Sequence, residues 1–160
     1  MSEFKKVVDV LEVAVRIERQ GSEFYNKLYN TVTTSETKDV FSFLAAEEEK
    51  HSGVFRKMLE KVADYHPRFN YPGEYGLFID GVASYLLEKI EKKINLISSQ
   101  NIDEAIDLGI ELEKETILFY SELKAESQFD ASDQKNLEKI IDEERSHWRK
   151  LINFKNKISS

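Results

Sequence analysis

Glu47-Glu48-Glu49-Lys50-His51 and Glu143-Glu144-Arg145-Ser146-His147 share one pattern: two adjacent glutamates, then a histidine three residues after the second. Residues three apart on a helix stand one turn apart on the same face. Each stretch, if helical, therefore offers a carboxylate and an imidazole to a common point. Glutamate fills 21 of the 160 positions, so a single Glu-x-x-His carries little weight. The weight comes from where these pairs fall.

Around the first pair the apolar period runs Phe41, Leu44, Glu48, His51, Phe55, Met58 and Val62, predicting a helix from about 36 to 64. Thr33 and Glu36 form a plausible capping box before it. Around the second pair, Leu137, Ile140, Glu144, His147, Leu151, Phe154 and Ile158 predict a helix from about 132 to 158. Upstream of each lies a partner. Residues 4 to 32 carry Phe4, Leu11, Glu18, Tyr25 and Val32 on one seam position, with Val7, Ala14, Gly21 and Leu28 on the other. Residues 102 to 127 carry Ile102, Ile106, Gly109, Glu113, Thr116, Tyr120 and Leu123. The halves also repeat each other, because Glu18 before Phe24-Tyr25 recurs as Glu113 before Phe119-Tyr120.

Pro67 and the Tyr71-Pro72-Gly73 turn signal open a different segment, and Ser98-Ser99-Gln100-Asn101 closes it. Residues 65 to 100 read as a crossover, with a shorter helix over Phe78 to Ile90. The expected architecture is all-α: one domain over 1–160, a four-helix bundle of two antiparallel hairpins joined by a long connection.

Composition agrees and removes several functions. Two prolines, six glycines and 33% charged residues fit long helices with solvated outer faces. A net charge of −7 with no basic stripe argues against nucleic acid. With no cysteine there can be no disulfide, thiolate nucleophile or iron–sulfur cluster, and any metal must be held by His and carboxylate. No apolar leader or spanning segment is present, so a cytoplasmic protein away from membranes is expected.

Glu18, Glu48, His51, Glu113, Glu144 and His147 therefore all fall on core seams. Within each hairpin the two helices also place them at one height, since Glu18 and Glu48 are equidistant from residue 33. Buried unpaired carboxylates cost several kcal/mol each, and no seam Lys or Arg neutralises these. Two divalent cations would. Carboxylate-rich ligands with one imidazole per ion suit iron first and manganese second, with zinc as a substitute.

These six positions resemble the di-iron carboxylate pattern of ferritin-like bundles. Within that superfamily the chain is similar to rubrerythrins, through Glu18-x-x-Gly21-x-x-Phe24-Tyr25, the paired glutamates before each ligand histidine, and the crossover with its short helix. The resemblance implies bridging roles for Glu48 and Glu144, terminal carboxylates at Glu18 and Glu113, and one nitrogen ligand per metal from His51 and His147. It further implies reduction of hydrogen peroxide or dioxygen, an external electron donor such as a rubredoxin-like protein, and a homodimer. Two features depart from the family. Typical rubrerythrins carry an extra glutamate where this chain has Thr116, and a four-cysteine rubredoxin-like module that is missing here. The rival expectations are a ferroxidase of the iron-storage kind, a helical interaction module with a structural or empty metal site and, ranked below both, an oxygenase.

Other residues yield weaker expectations. Tyr25 and Tyr120 could hydrogen-bond near the site, but packing with a polar tip is expected. Glu47 and Glu143 could orient the imidazoles or form a solvated flank, and both readings stay open. His66, beside Pro67, is expected at the surface or as a helix cap. Gly21 and Gly109 suggest close helix approach or room beside the metals.

Overall fold

In the computed structural model the described residues are 7–65, 81–82, 84–92, 102–126 and 129–159. Long helices account for most of them: α1 Val7–Thr31, α2 Ser35–Tyr65, then α3 over 84–92, α4 Ile102–Glu126 and α5 Ala131–Ser159. Helix α1 packs along α2 and α4 along α5, each pair joined by a short loop, so two antiparallel hairpins make the bundle. Among the described residues none belongs to a strand, and no helix is long and apolar enough to cross a membrane.

The loops show why the helices stop and start. Helix α1 has no basic residue in its last turn to meet its free carbonyls. Lys38 of α2 supplies the missing donor, reaching back to the Tyr29 carbonyl at 2.9 Å while its ammonium lies over the Tyr29 ring. Thr34, not Thr33, caps α2, because its hydroxyl takes the Thr37 N–H and its carbonyl takes the Lys38 N–H. The Thr33/Glu36 box is therefore displaced by one residue. Asp130 caps α5 in the same way, its carboxylate accepting the Asp133 N–H at 2.8 Å.

The seams read from the sequence form the core: Leu11, Leu28, Phe41, Leu44, Phe55, Ile106, Tyr120, Leu123, Leu137 and Leu151 are inaccessible or nearly so. The last α5 seam residue, Ile158, departs from this and is 40% exposed. Helix α3 lies against α4, burying Leu86 and Ile90 and joining Lys89 to Glu111 and Glu115. Its described part continues to residue 92, past the Ile90 expected as its end. Phe4, His66, the Tyr71-Pro72-Gly73 turn and the Ser98–Asn101 break lie outside the described residues, as do the side chains of Val7 and Val62.

Candidate metal centre

Each of the four bundle helices brings its polar seam residues to one level of the core. Helix α1 supplies Glu18, α2 Glu48 and His51, α4 Glu113, and α5 Glu144 and His147, all 5% exposed or less. Their ligating atoms form two groups, each spanning under 4.8 Å. One joins Glu18, Glu48, His51 and Glu144, and the other joins Glu48, Glu113, Glu144 and His147. Glu48 and Glu144 belong to both groups. The imidazoles stack with ring centres 5.6 Å apart and turn Nδ1 inward: His51 Nδ1 is 3.0 Å from Glu144 Oε1, and His147 Nδ1 is 3.0 Å from Glu144 Oε2.

Four carboxyl groups in one buried volume disturb each other. Burial pushes Glu48 well above the usual carboxylate range and repulsion from Glu144, Glu18 and Glu113 adds to it; Glu113 is raised by burial and Glu144. Burial and the Glu18 charge lift Glu144 to about 7 against the pull of His51. Burial alone would lower the His51 imidazolium, but the pull of the Glu144 and Glu18 carboxylates outweighs it and pushes the group up to about 12. The proton distribution is a makeshift for positive charge that the residues themselves lack.

The donor set fits a pair of metal ions. Glu18 Oε1 is held by the Tyr120 hydroxyl at 2.5 Å, while Oε2 is buried, makes no hydrogen bond and lies 3.4 Å from His51 Nδ1. A buried carboxylate oxygen without a donor is costly, and a cation would satisfy it. Oxygen and imidazole donors without sulfur suit iron or manganese.

The tyrosines depart from the packing expectation. Tyr25 of α1 donates to Glu113 Oε1 on α4 at 2.5 Å, and Tyr120 of α4 donates to Glu18 on α1. Each hydroxyl crosses the bundle to a carboxylate of the opposite half, and burial next to those carboxylates raises both phenols well above 10. They stay protonated and remain donors. Replacing Tyr120 by Phe leaves Glu18 with two buried oxygens lacking a donor, and about 2 kcal/mol of metal-free stability is expected to go. Urea melts of the variant at pH 7 measure it, and an unchanged midpoint would contradict the assignment.

Glu47 and Glu143 behave differently from each other. Glu143 accepts from His51 Nε2 at 2.8 Å, which holds the ring with Nδ1 inward. Glu47 instead pairs with Lys50 at 2.9 Å, and His147 has the Phe43 ring against its edge. Gly21 leaves room that Glu48 takes, since a Cβ there would meet Glu48 Oε2 at 3.3 Å. Gly109 admits Leu151 and the Tyr25 hydroxyl, the closer being 3.2 Å from such a Cβ. Both glycines are thus close approaches. Thr116 is buried.

Helices in this order, with carboxylate–imidazole groups that share two glutamates, define a bundle of the ferritin-like diiron-carboxylate class. A crystal structure described as a ferritin-like diiron-carboxylate protein from Thermotoga maritima superposes with a TM-score of 0.74 and 29% identity, covering 98% of either chain. Curated proteins give no match. The rubrerythrin family profile matches residues 9–155, and the chain belongs to the rubrerythrin family.

Proposed function

We propose that the protein holds two iron ions and reduces hydrogen peroxide, or dioxygen, with electrons returned by an external donor such as a rubredoxin-like protein. The observation that carries this reading is the sharing of Glu48 and Glu144 between the two groups. Shared carboxylates hold two ions close enough to act on one small molecule. A ferrous pair supplies two electrons, which with two protons convert one peroxide into two waters. Manganese is the second choice of metal.

The residues have separable tasks. Glu48 and Glu144 sit between the two positions. Glu18 with His51, and Glu113 with His147, complete one position each. Tyr120 occupies Glu18 Oε1 and so leaves Oε2 for the ion. Glu143 keeps His51 oriented through Nε2. Burial of the whole set excludes bulk water, which strengthens every charge interaction within it.

Anaerobic mixing of the reduced, iron-loaded protein with peroxide tests the proposal. Expected is rapid growth of ferric absorbance, with two irons oxidised per peroxide consumed. Absence of fast oxidation would overturn it. The particle mass separates this reading from iron storage, because a homodimer encloses no volume for a mineral.

A further inference from the structure

A third group of possible ligands lies outside the six residues. Glu47 of α2, Glu143 of α5 and His51 each bring a possible ligand atom within 4.8 Å of the others, and Glu143 meets the outer nitrogen of His51 at 2.8 Å. The carboxylate side chains are 15% and 30% exposed, whereas His51 is 2% exposed. The imidazole thus spans from one group to the next: Nδ1 faces the buried carboxylates and Nε2 faces the half-buried ones.

We propose that Glu47, Glu143 and His51 Nε2 form a loading station, where a divalent cation binds at the bundle surface before it passes to the buried pair of positions. The inference rests on the metal-binding reading above. Two carboxylates and one imidazole nitrogen are a donor set for a hard or borderline divalent ion. The inner ligands are 0 to 5% exposed, so an ion must shed its water to reach them, and a half-exposed site with the same donors lets that happen in steps. An ion bound here displaces the His51 Nε2 proton that Glu143 accepts, and the remaining partners of the two carboxylates are exposed lysines. Lys50 reaches Glu47 at 2.9 Å and Lys139 reaches Glu143 at 3.9 Å, but these lysines are 70% and 77% exposed. Exposed pairs of this kind hold weakly and yield to a competing cation.

Stopped-flow loading of the metal-free protein with Co²⁺, followed by its visible absorption, tests the proposal. The Glu47→Gln variant is expected to load at least tenfold more slowly, while reaching the same two ions and the same final spectrum. Glu49→Gln is the control: it removes the same charge from the same helix, at a side chain 61% exposed and paired with Arg56. It is expected to load at the wild-type rate. Equal rates for Glu47→Gln and wild type overturn the loading station and leave the metal centre standing, as does equal slowing by Glu49→Gln. Failure of the wild type to take up Co²⁺ overturns the metal centre and the station with it.

Discussion

Glu48→Gln is expected to abolish paired metal binding while making the metal-free protein more stable at alkaline pH. The amide has the shape of a protonated carboxylic acid, and burial among Glu144, Glu18 and Glu113 already favours the protonated form at this position. At pH 5 the variant and the wild type should therefore melt together. At pH 8 the wild type must either keep a proton against the solution or bear a buried charge, and the variant does neither. An advantage of about 1–3 kcal/mol for the variant is expected there, within the range seen when buried charge is replaced by a neutral group of like volume. With metal the order reverses. Glu48 contributes to both groups, so its loss removes an anionic oxygen from each position. Stoichiometry should fall from two ions to at most one, and peroxide reactivity by a factor of about 100 or more. Metal analysis after desalting, with melts at both pH values, measures the two effects. A variant that retains two ions would refute the bridging assignment.

How much of this could be read from the chain depends on whether a feature is set within one helix or between two. The Glu48/His51 and Glu144/His147 pairs follow from a single helical period. That period also put Glu18 and Glu113 on apolar seams, where the bundle buries them. The tyrosine bonds are different. Tyr25 meets Glu113, 88 positions away, only because α1 and α4 run antiparallel in one particular register. No local pattern carries that register, and the period alone is equally content with simple packing. The sequence repeat likewise suggests equal roles for Glu47 and Glu143. Their difference arises from the neighbours each happens to meet, Lys50 beside the first and His51 beside the second. The α2 cap lies one residue beyond the Thr33/Glu36 box for a related reason. Thr33 and Thr34 offer the same hydroxyl, and the hydrogen bond from Thr37 decides between them.

Metal loading is expected to raise the melting temperature strongly, and the gain should widen as pH rises from about 6.5 to 8.5. An ion present at a thousandfold excess over its Kd stabilises the folded chain by about 4 kcal/mol per site. In a domain of this size that is roughly 8–16 °C for one site. The pH dependence follows from the metal-free groups. A carboxyl whose folded pKa is raised holds its proton more tightly folded than unfolded, so its stabilising share is complete at low pH and is lost as pH climbs through the folded value. Glu144 passes that point near 7, and Glu48 and Glu113 are also raised. His51, lifted to about 12, loses its share in the same direction once pH exceeds its unfolded value of 6.5. Two groups run the other way, His147 lowered mainly by burial, and Glu18 held at about 2 by Glu48 and His51 against its burial. Both complete their change below the ordinary histidine value of 6.5. Above it the metal-free chain must therefore weaken, by about 1.4 kcal/mol per pH unit for each group titrating. The ions displace these same protons, so the loaded chain escapes the loss and binds metal more tightly as pH rises. Urea melts of metal-free and loaded protein at pH 6.5, 7.5 and 8.5 measure both slopes. Metal-free stability that stayed level or rose across this window would show that the four carboxylates do not crowd one buried volume.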